Sequence, residues 1–259
     1  MFPGTGTLVN MSTVLVGASL GVLVGDRLPQ RVRDTVTDCL GLVTLLIAGL
    51  SVVDVLDPAL ARAVGDQAPV LVVLGSLVLG GITGSFLRVE DRLEGLGGWL
   101  RDRLTPPTSP DSPQHVADGP SAARARFVEG FVTASLLFCV GPLTVLGSLD
   151  DGLGRGAEQL YVKAALDGFA AIAFAASFGW GVAASALVVL VVQGGLTLVG
   201  VLVGDVLPAA HLAALGATGG LMLLGLGLNL LRVRRLPVGD LLPGLVAAPL
   251  LVELLVLLR

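Results

Sequence analysis

Charge is scarce in this chain. Only 14% of its 259 residues are Asp, Glu, Lys or Arg, against about 25% in an ordinary soluble domain. Aromatics make up 4% of the residues, and there are two histidines and two cysteines. No cluster of basic residues interleaved with aromatics is present, which argues against a nucleic-acid surface. Two cysteines, Cys39 and Cys139, cannot form a disulfide framework or a thiolate metal site, and they fall in apolar segments as small buried residues do. No HExxH, CxxC or phosphate-loop pattern occurs, and no nucleophile has a base at a recognisable spacing. The sequence therefore predicts no enzyme, no cofactor and no metal. The net charge of −4 is too small to define a partner.

What the chain has instead is apolar surface and glycine. Hydrophobic residues make up 54% and glycines number 36, and the mean hydropathy is +0.88. Small residues let apolar helices approach closely in a membrane. A span needs about 20 mostly apolar residues, and eight segments qualify: 7–25, 38–56, 69–87, 127–148, 162–179, 182–203, 211–231 and 240–258. The expected fold is all-α, a polytopic bundle of about eight spans forming one domain over 1–259. MFPGTGTLVNM lacks a positive leader region, so the first run reads as a retained span.

The fifth and sixth segments meet at Ser177–Gly181 and are split there, because one 40-residue helix would far exceed a bilayer. Loop charge agrees with the split. Arg27, Arg31 and Arg33, then Arg88, Arg92, Arg101, Arg103, Arg124 and Arg126, then Arg232, Arg234 and Arg235 all fall on one side of an eight-span path. The positive-inside rule makes that side cytoplasmic and puts both termini outside.

Between spans three and four lies the chain's one long polar stretch. Residues 88–103 have apolar positions at helical spacing and predict an amphipathic surface helix with Trp99 at headgroup level. Residues 104–122, rich in Pro, Ser and Asp, predict a disordered linker.

An internal repeat is visible. LGVLVGDRLP at 20–29 recurs as VGVLVGDVLP at 199–208, with Gly21, Gly25 and Asp26 matching Gly200, Gly204 and Asp205. Gly41 falls opposite Gly220, and a looser copy, LGGITGSFL, lies at 79–87. On the eight-span path the two main copies run in opposite directions, the pattern of an inverted repeat. The same glycines also suit a plain tight helix crossing.

Polar groups inside the spans are few. Asp167, four residues after Lys163 on one helix face, is the leading candidate for binding a solute or ion; its alternative is a structural ion pair. Glu129 reads either as a cation-binding carboxylate at a pore mouth or as an interfacial partner of Arg124 or Arg126. Asn10, Ser135, Gln193, Thr218 and Asn229 either make interhelical hydrogen bonds or converge with Asp167 on one solute. His211 reads as interfacial and Glu253 as facing protein. Pro142, Pro243 and Pro249 break or kink helices, and Gly141-Pro142 interrupts the fourth span.

The stretch FVEGFVTASLLFCVGPLTVLGSLDDGL at 127–153 carries a family resemblance, with GTLVN at 6–10, YVKAALDGFAAIAFAASFGWG at 161–181 and GGLMLLGLGLNLL at 219–231. Over essentially its whole length the chain resembles the bacterial domain-of-unknown-function 554 family, the YqgA/YdfK-like membrane proteins. The resemblance implies a prokaryotic cytoplasmic (inner) membrane protein and supplies no activity. The expectation from the residues is a transporter or channel for a small solute or cation. The alternative is a non-transporting scaffold or a subunit of a larger membrane assembly. The partners implied are the lipid bilayer, the solute and, through the glycine faces, a second copy in a homo-oligomer.

Overall fold

The structure is a computed structural model and describes residues 2–25, 29–104, 113–139, 142–203 and 208–258. No strand occurs among them, and the fold is an all-α bundle. In order, the elements are α1 (Thr5–Gly25), α2 (Gln30–Val52) with a 3-10 turn at Val53–Leu56, α3 (Pro58–Val64), α4 (Pro69–Leu87) and α5 (Val89–Leu104). There follow α6 (Pro113–Cys139), α7 (Pro142–Gly152), α8 (Glu158–Phe178), α9 (Gly181–Val203), α10 (Ala209–Leu230), a 3-10 turn at Gly239–Leu241 and α11 (Pro243–Leu257).

Local sequence explains the boundaries. Pro69 and Pro243 sit in the first turns of α4 and α11, where a missing N–H costs nothing. Asp57 caps α3 by accepting from the Ala59 N–H at 2.6 Å. Gly179 takes φ +75° and ends α8, so the expected split between spans five and six falls at a glycine in the region L-residues avoid.

Seven described helices are long and apolar enough to cross a membrane. The pair α6–α7 passes the same test together, although bent by 62° between Cys139 and Leu143; Gly141, where the sequence predicts the break, lies outside the described residues. Its neighbours decide how far the pair reaches. Phe127 and Phe131 on α6 lie against Gly181 at the start of α9, while Leu149 and Gly152 on α7 lie against Gly200 and Thr197 near its end. Gly181 to Gly200 covers about 28 Å of helix, close to the hydrocarbon thickness of a bilayer. The bent pair is therefore one broken span running parallel to α9, and the eight-span path holds.

Glycine contacts orient the remaining helices. Gly6, Gly17, Gly21 and Gly25 of α1 meet Leu160, Gly168, Ile172 and Ala176 in order, so α1 and α8 are parallel. Gly216, Gly220 and Gly227 of α10 meet Asp54, Val52 and Leu45, so α10 and α2 are antiparallel. Gly80 and Gly84 of α4 lie on Gly244 and Asp240, so α4 and α11 are antiparallel as well. Both termini thus share one face, here the terminal face. The opposite, arginine face carries every loop arginine of the three clusters that the structure describes.

The expected surface helix is α5. It lies against the middle of α6, with Gly97 on Phe131 and Gly98 on Arg124, and leaves Trp99 exposed. Glu90 and Asp240 fasten it reciprocally: Gly239 N–H donates to Glu90 Oε2 at 2.5 Å, and Glu90 N–H donates to Asp240 Oδ1 at 2.9 Å. The backbone of α6 is already helical at Pro113, inside the stretch 104–122 expected as a linker; residues 105–112 lie outside those described. Asp26, Gly204 and Asp205 of the repeat also lie outside the described residues.

Candidate functional site

The core between α1, α8 and α9 changes character along its length. Toward the arginine face it is mainly apolar: Val14, Ala18 and Val22, then Phe138, Phe174, Phe178, Val182, Ala186 and Val189 form one buried cluster, and the buried Ser185 donates back to the Val182 carbonyl. Toward the terminal face it turns polar.

Asp167, midway along α8, anchors the polar part. Lys163, one turn earlier, places its Nζ 3.0 Å from Asp167 Oδ1 and 2.9 Å from Oδ2. Asn10 on α1 donates from Nδ2 to Asp167 Oδ2 at 2.9 Å. All three are at least nine-tenths buried. Removing both charges from water is costly, and close pairing with added hydrogen bonds is what makes it tolerable. The opposite charges leave the cluster neutral.

Gln193 on α9 belongs to the same level. Thr7 of α1 meets Thr197 of α9 through their hydroxyls at 3.5 Å. One turn inward on each of these antiparallel helices lie Asn10 and Gln193. Gln193 is completely buried, and neither end of its amide has a hydrogen-bond partner. Asn10 Oδ1, Ser135 Oγ on α6 and Ser148 Oγ on α7 are likewise buried without a partner. Cys139, the last residue of α6, packs against the apolar cluster of Val14, Phe138 and Phe174, so the α6–α7 break borders this core. Thr144 returns one freed group to use, donating to the Phe138 carbonyl across the break at 3.2 Å.

A second carboxylate closes the terminal end. Asp151, the penultimate residue of α7, is buried and accepts from the N–H groups of Gly4 and Gly6 at 3.1 Å each. It caps the first turn of α1 from another helix. Beside it Leu160 fills the space between Gly6 and Gly147.

The expected candidates divide accordingly. Asp167, Lys163 and Asn10 are in direct contact, and Gln193 sits at their level. Ser135 is buried on α6 about one turn before the break. Glu129 lies elsewhere: it is exposed near the arginine end of α6, and its neighbour Arg124 pairs with Asp102 at 3.9 Å. Asn229 clamps the turn after α10, accepting from Leu236 N–H at 2.7 Å and donating to its carbonyl at 2.9 Å. Thr218 donates back to Ala214 within α10. Gly21 and Gly25 pack on α8, and Gly200 packs on α7.

Sequence reasoning missed Thr7, Thr197, Ser148 and the role of Asp151. A signal existed: Thr7 and Asn10, Gln193 and Thr197, and Ser148 and Asp151 are pairs at helical spacing. It also missed that His211 and Glu253 meet, Nε2 to Oε2 at 3.2 Å; His211 is buried and Glu253 half-exposed. An apolar groove of about 340 Å³ on the outer side of α1 and α8, lined by Val16, Leu20, Phe169 and Ile172 among others, is separate from the polar cluster. No group of three or more His, Cys, Asp or Glu side chains that could hold a metal occurs among the described residues.

Comparison with known proteins agrees with a membrane bundle. The chain is 29% identical to the uncharacterized protein YqgA of Escherichia coli strain K12, over 94% of both chains. It is 24% identical to the uncharacterized membrane protein YdfK of Bacillus subtilis strain 168, over 95% of both. No solved structure matches it. The family model described as protein of unknown function DUF554 matches residues 5–253, and the chain belongs to that family.

Proposed function

We propose that the chain carries a small solute or ion across the membrane it spans. The observation that supports this most is Gln193, buried with both ends of its amide unpartnered at the level of the Asn10–Lys163–Asp167 cluster, one turn in from the Thr7–Thr197 contact. Each buried polar group left without a partner costs about 1–3 kcal/mol. A bundle kept only for its shape has no use for that cost, whereas a guest hydrogen-bonding to these groups removes it.

The helix break supports the same reading. Discontinuous spans free backbone groups near the midplane, where transporters bind their cargo. So does symmetry. Shifting positions by the repeat spacing of 179 residues turns the contact of Gly41 with Leu231 into that of Gly220 with Val52. The same shift turns Gly220 on Ala48 into Gly227 on Gly41. A two-fold axis in the membrane plane would relate such pairs, and the repeat glycines Gly21 and Gly200 each pack on a helix parallel to their own, α8 and α7. On this reading the arginine face is cytoplasmic, both termini are outside, and the membrane is the cytoplasmic membrane of a prokaryote.

The test is flux into proteoliposomes of purified protein, screened over alkali cations, protons and small polar metabolites. Flux by wild type that is lost in Gln193→Leu, with the protein still folded, supports transport. No flux of any of these overturns it. A non-transporting scaffold or assembly subunit is the second reading. It is favoured by the apolar packing that closes the arginine-face half of the core and by α5 held on that face through Glu90 and Asp240. Co-purification of a stoichiometric membrane partner, together with absent flux, would select it.

A further inference from the structure

Three features of the cluster specify its guest more narrowly than a small solute. This step rests on the transport reading above.

The first is size. Asn10, Lys163, Asp167 and Gln193 are each at least nine-tenths buried, so a guest that meets them has to shed its water and be small. The second is chemistry. The groups that can accept are oxygens: both oxygens of Asp167 and the unpartnered Oδ1 of Asn10 bonded to it, with the unpartnered Gln193 Oε1 at the same level of the bundle. Oxygen sets of this kind suit hard cations. One carboxylate supplies one negative charge, which matches a monovalent ion rather than a divalent one. The third is a stand-in. The Lys163 ammonium straddles both Asp167 oxygens at 2.9 and 3.0 Å, the position a monovalent cation would take.

The geometry points to an alkali-cation seat at Asp167, reached from the terminal face, in which the Lys163 ammonium and the cation compete for one carboxylate. Access follows from what lies on each side. Toward the terminal face the polar groups continue through Thr7, Thr197 and Asp151, closed by Asp151 on the α1 N-terminus and by Leu160. Toward the arginine face phenylalanines and valines dominate, and the buried Ser185 hydroxyl is spent on the Val182 carbonyl. When the ion arrives, Lys163 swings off Asp167, and Asn10 Oδ1 and Gln193 Oε1 gain the partner they lack.

Binding can be read without flux. The full chain in detergent is melted in LiCl, NaCl and KCl, with choline chloride at equal ionic strength as the control. A cation that binds the folded state raises the melting temperature in a saturable way. One alkali cation is expected to do so in wild type and choline is not. Lys163→Gln removes the competitor and lowers the half-saturating concentration of that cation by about tenfold or more, because the bare buried carboxylate then has no other counter-charge. If Lys163→Gln folds only in the presence of the alkali salt, the seat is supported equally. Asp167→Asn abolishes the shift, alone or in the Lys163→Gln background, where no unpaired buried charge remains.

The entry side is read in oriented vesicles, in a Cys39→Ser, Cys139→Ala background, with a membrane-impermeant thiol reagent. Thr197→Cys is expected to label from the terminal face, with protection by the cation, and Val189→Cys from neither face. Identical melting curves in alkali and choline salts for wild type and Lys163→Gln overturn the seat, as does a shift that survives Asp167→Asn. Labelling of Thr197→Cys only from the arginine face overturns the route. Saturable binding without flux keeps the seat and removes the transport reading; flux that persists in Asp167→Asn removes the seat and keeps transport.

Discussion

Lys163 and Asp167 lie one helical turn apart on α8 and meet at 2.9 Å with less than a tenth of either side chain exposed. The spacing alone allows the contact; burial makes it matter. An exposed pair at this spacing is worth about 0.3–0.5 kcal/mol, but breaking a buried pair leaves an uncompensated charge at about 3–5 kcal/mol. Lys163→Ala and Asp167→Ala are each expected to destabilise by about that amount. The double substitution Lys163→Met, Asp167→Leu is expected to cost less than either. Denaturant unfolding in mild detergent, analysed as a double-mutant cycle, checks this, and additive losses would count against the pairing.

Asp151 reaches the start of α1 from the end of α7 and takes two of its free N–H groups. Asp151→Ala leaves those donors buried and unpartnered, with an expected loss of about 1–3 kcal/mol. Asp151→Asn keeps an acceptor and should recover a good part. The melting temperatures of the two variants, compared with wild type, give the answer.

Glycine positions separate cleanly by their surroundings. A methyl group at Gly84 would run into the backbone of Asp240, and one at Gly80 into Gly244, so the α4–α11 contact cannot absorb either without moving apart. Gly84→Ala and Gly80→Ala are expected to cost about 1–3 kcal/mol. Gly49, in the last turn of α2, and Gly194, in the middle of α9, have open space around them. Alanine there should be neutral or stabilising by up to about 1 kcal/mol. A thermal series of the four variants distinguishes contact glycines from idle ones.

Glu90, on the arginine face outside the spans, is held above its ordinary carboxyl range. Burial is the main cause, Glu94, Asp240 and Asp91 add to it, and the Gly239 N–H works against it. A raised folded value means the protonated form is favoured by folding. Its contribution is then present below the ordinary glutamate value of about 4.3 and declines as pH rises through the folded value. The melting temperature of wild type minus that of Glu90→Gln should therefore fall as pH increases above about 4. A difference that is flat, or rises, would show that the Gly239 bond outweighs burial.

Topology has its own check. With the arginine face cytoplasmic, a C-terminal alkaline phosphatase fusion should be active and a C-terminal green fluorescent protein fusion dark. The reverse pair of results would put the termini inside.

How much of this was legible in the chain differs from feature to feature. Span number and parity were, because lipid demands about 20 apolar residues per crossing and arginines mark one side. The split at Gly179 and the bend between Cys139 and Leu143 were legible for the same kind of reason: backbone chemistry at glycine and proline is local. The Lys163–Asp167 contact was legible because four residues on a helix are neighbours.

Convergence was not. Asn10 and Asp167 are 157 positions apart, and Gln193 and Asn229 look alike in sequence, each a lone amide in an apolar run. The direction and rotation of the packed helices place Gln193 in the core without partners and turn Asn229 onto the Leu236 loop. Glu129 and Asp167 likewise look alike as carboxylates in apolar helices, yet one faces outward and the other is enclosed. Hydropathy and punctuation by themselves determined that this chain is a many-span helical membrane protein, since each span answers to the bilayer separately. Which few polar groups share one buried site was decided only by tertiary packing, because helix rotation depends on the fit of glycines such as Gly17 on Gly168, between residues far apart in the chain.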